Sequence, residues 1–189
     1  GQVAQDIKQL CPEPEKQIAL NKNSFGGKIL EPLDLPDIRD FAVAVNRPGE
    51  TLLSGQKALG RYLRKVIALN QEKRNFRIVS PDELESNRLG EVLEVTDRQY
   101  NWPVPENTEH TSKDGRVLEI LNEHNCHGWL QGYLLTGRHG LFSCYEAFLP
   151  IIDGMMNQYV KFLKAHLEVQ WRESISSMNY LLSSETWRQ

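Results

Sequence analysis

The stretch from Arg116 to Phe148, RVLEILNEHNCHGWLQGYLLTGRHGLFSCYEAF, decides how this chain folds. Its first six residues set Val117, Glu119 and Leu121 against Leu118 and Ile120, the alternation of a strand in a sheet covered on both faces. From Glu123 to Thr136 the apolar residues Trp129, Leu130, Tyr133 and Leu134 return at helical spacing, and Gly137 predicts the stop. A second long helix is expected over about Ser143 to Leu167, carrying Tyr145, Phe148, Ile151, Ile152, Met155 and Tyr159.

Working outward, Phe76 to Val79 reads as a short strand that gives way at Ser80-Pro81-Asp82, and Thr108 to Gly115 is polar turn material. Ser54 is placed to cap a helix over 54–70, in which Leu59, Tyr62, Leu63, Val66 and Ile67 recur at spacings of three and four. Asp37 to Val45 reads as strand-like or extended and closes at Pro48-Gly49. Gly1 to Pro36, rich in Pro, Gly, Asn and Lys, reads as linker or extended arm. A helical piece near Ser176 to Ser183 and a strand-like Thr186-Trp187-Arg188 end the chain. Alternating strands and helices predict an α/β three-layer sandwich on a mostly parallel sheet, with ligands at the carboxyl ends of the strands.

The 189 residues suit one domain of ordinary globular composition, with 40% hydrophobic and 25% charged side chains. The 22 basic and 25 acidic residues leave a net charge of -3, which gives no electrostatic reason to bind nucleic acid or an anionic membrane. No apolar run reaches bilayer length. Cys11, Cys126 and Cys144 are odd in number and contain no CxxC pair, against a disulfide framework or a zinc site. The chain opens without Met or a signal-like apolar stretch, so the expected compartment is the cytoplasm and the expected origin is a processed or longer protein.

Polar and aromatic residues are densest from Glu123 to Tyr145. Glu123 follows a buried strand and starts a helix; by position alone, an ordinary first-turn carboxylate outweighs a catalytic one. His124 and His127 share a helix face beside Cys126, but no third ligand is spaced nearby, so helix-start polar groups are preferred to a metal site. Cys126 and Cys144 read as buried inert thiols rather than nucleophiles. The turn Thr136-Gly137-Arg138-His139-Gly140 suits an anion and a plain turn equally. In Ser86-Asn87-Arg88 a hydroxyl and a guanidinium two residues apart suit one phosphate. Trp102, Trp129, Trp171 and Trp187 read as core or interface packing.

Ser80-Pro81-Asp82-Glu83, Ser86-Asn87-Arg88-Leu89, Glu91 to Asp97, the phrase GYLLTGRHGLFSCYEAF and Trp187-Arg188-Gln189 together resemble the middle region of phosphoketolases, thiamine diphosphate enzymes of the transketolase superfamily. The resemblance covers about residues 30 to 189 and implies the pyrimidine-binding domain fold. Residues 1–50 would then be an arm from a preceding domain, and 51–189 a pyrimidine-binding domain truncated at its C-terminal end. The resemblance gives Glu123 the role of bonding the cofactor's aminopyrimidine, with its carboxyl sharing a proton with a ring nitrogen in a dry cleft. Phe142 and Tyr145 would line that ring, Tyr145 also reaching the reacting centre. Ser86 and Arg88 would contact substrate phosphate, and Gln189, grouped with them, would be an active-site polar group beside two histidines that the family carries in a stretch not found in this chain.

No metal ligand falls in this chain under that reading; Mg2+ and the diphosphate belong to the preceding domain. The implied activity is cleavage of xylulose 5-phosphate, and of fructose 6-phosphate as a further substrate, with inorganic phosphate to acetyl phosphate and an aldose phosphate. The implied assembly is a homodimer in which this chain supplies half a site and is inactive alone. A transketolase-like enzyme and a catalytically silent assembly module are the alternatives.

Overall fold

A computed structural model describes residues 3–24, 31–81, 84–104, 106 and 108–184. The elements are α1 (Gln5–Gln9), α2 (Gly55–Leu69), β1 (Phe76–Ser80), β2 (Arg98–Gln99), β3 (Thr111–Ser112), β4 (Val117–Glu119), α3 (Glu123–Leu135), β5 (His139–Tyr145), α4 (Leu149–His166) and β6 (Met178–Ser183). They build a six-stranded sheet in the order β3-β2-β4-β1-β5-β6, every pairing of which is parallel.

Strand alternation assigns the two faces. Ile78, Val117 and Leu141 point to one side, where they meet Leu63, Val66 and Ile67 of α2 and Leu84, Leu89 and Val92 of the connection after β1. Val79, Leu118, Phe142 and Cys144 point to the other, where Cys126, Leu130 and Leu134 of α3 and Ile152 of α4 cover them. The fold is therefore an α/β three-layer sandwich with apolar cores on both faces, as the adjacent apolar pairs Ile78-Val79 in β1 and Leu141-Phe142 in β5 require. The connection after β1 crosses the α2 face, whereas those after β4 and β5 cross the opposite face as α3 and α4. Loops leaving β1 and its two neighbours thus diverge and open a crevice at the carboxyl ends, where doubly wound sheets take ligands.

Helix α2 obeys its sequence signals: Ser54 accepts a hydrogen bond from the Lys57 amide at 3.1 Å, and the helix ends at Leu69. Helix α3 begins behind Asn122, whose side chain accepts from the Asn125 amide at 2.8 Å. It stops before Gly137, whose φ of 95° is the left-handed turn that glycine adopts at least cost.

Four readings need correction. The helix expected from Ser143 begins only at Leu149, because His139–Tyr145 is a strand between β1 and β6, and Pro150 sits in the first turn of α4. The helical piece expected near 176–183 is instead β6, an edge strand paired with β5. Ile38–Phe41 is a 3-10 turn, capped by the Asp37 carboxylate on the Arg39 amide at 2.9 Å, and only 42–46 continues extended and without a sheet partner. Thr111–Ser112, read as turn, adds a short parallel edge to β2.

Residues 3–24 hold α1 and three 3-10 turns, and the side chains of 3–16, 18 and 20–24 are exposed. Trp102, Trp129 and Trp171 are exposed rather than packed in the core; Trp187, like the rest of the strand-like 186–188, lies outside the described residues. No helix among the described residues is long and apolar enough to cross a membrane.

Candidate active site

Three of the six strands bring polar groups to the carboxyl edge beside the crevice. β1 ends at Ser80, which is buried and whose carbonyl accepts from the Ile120 amide at 3.1 Å, tying the exit of β4 to β1. Three residues later Glu123 opens α3, half-buried in the helix's first turn, where the partial positive charge of the helix end favours a carboxylate. On the other side of β1, β5 ends at Tyr145. Two inter-strand spacings separate β4 from β5, about 10 Å, so Glu123 and Tyr145 flank the crevice.

Tyr145 has an aromatic neighbour that sequence reasoning missed. Phe148, in the 3-10 turn that follows β5, lies with its ring centroid 6.2 Å from that of Tyr145 at an interplanar angle of 52°, and both are half-buried. Phe142, expected to share the lining with Tyr145, is instead 0% exposed, with centroids of His127 and Tyr180 at 6.3 and 5.8 Å. Its place three residues back along the strand puts it under α3 and α4, where it supports the strand rather than the crevice. The available signal was spacing: once 139–145 is a strand, Phe148 is the aromatic residue just past its end.

The loop after β1 is clamped from below. Leu84 and Leu89 are fully buried, and the Leu84 amide donates to Glu119 Oε1 at 3.1 Å. The other Glu119 oxygen accepts from Arg98 Nε, which holds β2 against the same carboxylate. Ser86 is half-buried and Asn87 fully buried, its Oδ1 accepting from the Ser183 hydroxyl at the end of β6. Arg88 is exposed with φ of 61°, a left-handed conformation that costs a non-glycine residue about 1–2 kcal/mol and here turns the side chain out of the clamped loop. Ser86 and Arg88 therefore share the carboxyl edge with Glu123 and Tyr145; Gln189 lies outside the described residues.

The remaining candidates have structural places. His127 is buried in the α3/α4 core, its Nε2 2.8 Å from the Tyr180 hydroxyl. His139 Nε2 is 2.7 Å from the Glu31 carbonyl, joining β5 to the arm, and His124 is exposed. Cys126 and Cys144 are buried, and burial pushes the Cys126 thiol up to about 12. Among the described residues no three His, Cys, Asp or Glu side chains gather as a metal site.

A parallel sheet covered by helices on both faces, with a carboxylate and aromatic rings at its strand ends, defines a doubly wound α/β domain. A family model described as D-xylulose 5-phosphate/D-fructose 6-phosphate phosphoketolase matches residues 57–189. The chain belongs to the phosphoketolase family. It is 49% identical over all 189 residues to a probable phosphoketolase of Bradyrhizobium diazoefficiens and 50% identical to one of Rhodopseudomonas palustris, covering 100% of this chain and 24% of each relative. A probable phosphoketolase of Gloeobacter violaceus is 48% identical over 184 residues, 97% of this chain and 23% of that protein. The chain thus spans about a quarter of the length of these relatives. A solved transketolase of Campylobacter jejuni shares 17% identity at a TM-score of 0.42 over 63% of this chain and 16% of that one, an overlay too loose to define a common fold.

Proposed function

We propose that the protein carrying this chain is a thiamine diphosphate-dependent phosphoketolase. It converts xylulose 5-phosphate, and fructose 6-phosphate, with inorganic phosphate to acetyl phosphate, an aldose phosphate and water. Residues 51–189 form its pyrimidine-binding domain, with 1–50 the arm that leads into it. Family membership over residues 57–189 supports the reaction class. The single observation that carries the site is the position of Glu123, half-buried in the first turn of α3 beside the crevice that Tyr145 flanks from the other side of β1.

The residues present fit the aromatic half of the cofactor. Glu123 would accept and return a proton at a ring nitrogen, at the edge of an apolar layer where few water molecules compete for it. Tyr145 and Phe148 would bracket the ring, with Phe148 in the place that the resemblance assigns to Phe142. When bound, the cofactor supplies the carbanion chemistry on the sugar. Ser86 and Arg88 would hold the substrate's phosphate through a hydroxyl and a guanidinium. The diphosphate and its Mg2+ would be held by the preceding domain of a partner subunit in a cytoplasmic homodimer.

Hydroxamate detection of acetyl phosphate in the longer protein tests this reading. The wild type should form acetyl phosphate from xylulose 5-phosphate, and Glu123→Gln should lower the rate by a hundredfold or more. A loss of less than about tenfold, about 1.4 kcal/mol of barrier, removes Glu123 from catalysis. Ketol transfer without acetyl phosphate makes the protein a transketolase-like enzyme instead.

A further inference from the structure

Tyr133, near the C-terminal end of α3, is surrounded by guanidinium groups from three other segments. Arg77 of β1, Arg116 at the head of β4 and Arg138 in the turn before β5 place their central carbons 5.4, 5.9 and 5.7 Å from its ring centroid. A fourth, Arg74, precedes β1, and its carbonyl accepts from Arg116 at 2.9 Å and from the Tyr133 hydroxyl at 2.8 Å. Arg116 is only 8% exposed, and it also donates to the Phe76 carbonyl at 3.1 Å and to the Tyr133 hydroxyl at 2.6 Å.

The charges in this cluster do not balance. Asp114, which bridges Arg74 at 2.6 Å, is the one carboxylate in ion-pair reach of the four arginines among the described residues. The C-terminal end of α3 contributes about half a negative charge. More than two positive charges remain unopposed. The other partners are neutral: Gln99 for Arg77, and Thr136 at 2.8 Å and Asn23 at 3.3 Å for Arg138. They satisfy N–H groups without cancelling charge. Burial first, and neighbouring arginines as well, push the Arg77 and Arg116 guanidiniums below their usual range, the mark of cations held together without a counter-ion. The Thr136–Gly140 turn, in which the sequence left an anion and a plain turn equally open, supplies Arg138 to this cluster.

We propose that Arg77, Arg116 and Arg138 form a binding site for a phosphate-type oxyanion at the amino edge of the sheet. The site lies about 15 Å along α3 from Glu123, at the opposite end of the strands from Ser86 and Arg88. Planar guanidiniums from three segments gather around one ring, and the positive charge they leave unopposed is what an oxyanion would neutralise. Because α3 joins the two edges, an anion here stiffens the helix that carries Glu123.

Thermal unfolding of the full chain in inorganic phosphate, against sodium chloride at matched ionic strength, tests the site. Phosphate near ten times its Kd should raise Tm by about 3 °C over chloride. Arg138→Gln should lose most of that shift, and Arg77→Gln should do the same if it folds. Arg88→Gln, at the other edge, should remove only the part of the shift that a phosphate at the carboxyl edge contributes and leave the part that Arg138→Gln removes, so failure of the substrate-phosphate assignment is read separately. No phosphate-specific shift, or an equal shift in Arg138→Gln, overturns the proposal. A shift that disappears in the longer protein also overturns it, because a carboxylate from the rest of that protein then fills the site.

Discussion

The Ser183 hydroxyl donates to the side-chain oxygen of Asn87, joining the loop after β1 to the end of β6 across the intervening strand β5. Both residues are buried, Asn87 completely, so neither loses this partner to water. Removing one side leaves the other polar group unsatisfied, which costs about 1–3 kcal/mol. Asn87→Ala should therefore lower the unfolding free energy measured in urea by that amount and raise the sugar-phosphate KM in the longer protein more than it lowers kcat. Equal stability in wild type and variant would show that the bond holds nothing in place.

Two glycines should respond in opposite senses. A methyl group at Gly115 would lie inside contact distance of the Asp97 carbonyl oxygen and the Arg98–Gln99 backbone, where β2 passes β4. Backbone cannot step aside as a side chain can, so Gly115→Ala should destabilise by about 3 kcal/mol or more. At Gly132, in the exposed middle of α3, a methyl group meets nothing within 4 Å. Gly132→Ala should stabilise the chain by up to about 1 kcal/mol through helix propensity alone. Chemical denaturation of the two variants beside the wild type reads both signs.

The strand β5 shows why part of the fold was legible and part was not. Helices α2 and α3 have one apolar face each and explicit caps, Ser54 and Asn122, so periodicity found them within a residue or two. β5 is covered on both faces, so Leu141, Phe142 and Cys144 do not alternate strictly with polar residues; beside Phe148, Ile152 and Tyr159 they merge into the spacing of a helix. The discriminating signals were local: Gly137 and Gly140 before the run, and Pro150 after it. Reading 139–145 as helix also hid that Phe148 lies just past a strand end, beside Tyr145. Glu123, Tyr145, Ser86 and Arg88 were found at the sheet's carboxyl edge because strand ends and a specific phrase mark them. The Arg77–Arg116–Arg138 cluster, assembled from three segments, has no signature along the chain.

Phe142 and Phe148 should separate stability from binding. Phe142→Leu removes a fully buried ring between His127 and Tyr180 and should cost about 1–3 kcal/mol in chemical denaturation. Phe148→Leu, half-buried at the crevice, should change stability by less than about 1 kcal/mol while weakening thiamine diphosphate binding in the longer protein several-fold. A reversed pattern would return Phe142 to the lining.

The three cysteines should divide by burial. Cys11 is exposed, whereas Cys126 and Cys144 are buried and the Cys126 thiol is pushed up to about 12. At pH 8 a disulfide reagent should therefore titrate one thiol per folded chain within minutes and three after unfolding in guanidinium. Fast reaction of two or more would show that the α3 core opens readily.

Protonation of His127 should limit stability in acid. Burial, and then the charge of His124, push its pKa below the ordinary value, while Nε2 remains 2.8 Å from the Tyr180 hydroxyl. Burial also pushes Tyr159 and Tyr180 up to about 12, so these facing hydroxyls stay neutral throughout the relevant range. Below the ordinary histidine pKa of about 6.5 the unfolded chain binds a proton that the folded chain refuses. Stability contributed by neutral His127 is therefore complete above that pH and falls as pH drops toward the depressed folded value, by at most about 1.4 kcal/mol per pH unit. His127→Gln, which does not titrate, should be less stable than wild type at pH 7.5, and the difference should narrow by pH 5.5. Unfolding free energies of the two proteins measured at both pH values decide it: parallel losses would show that His127 accepts its proton inside the fold as readily as in water.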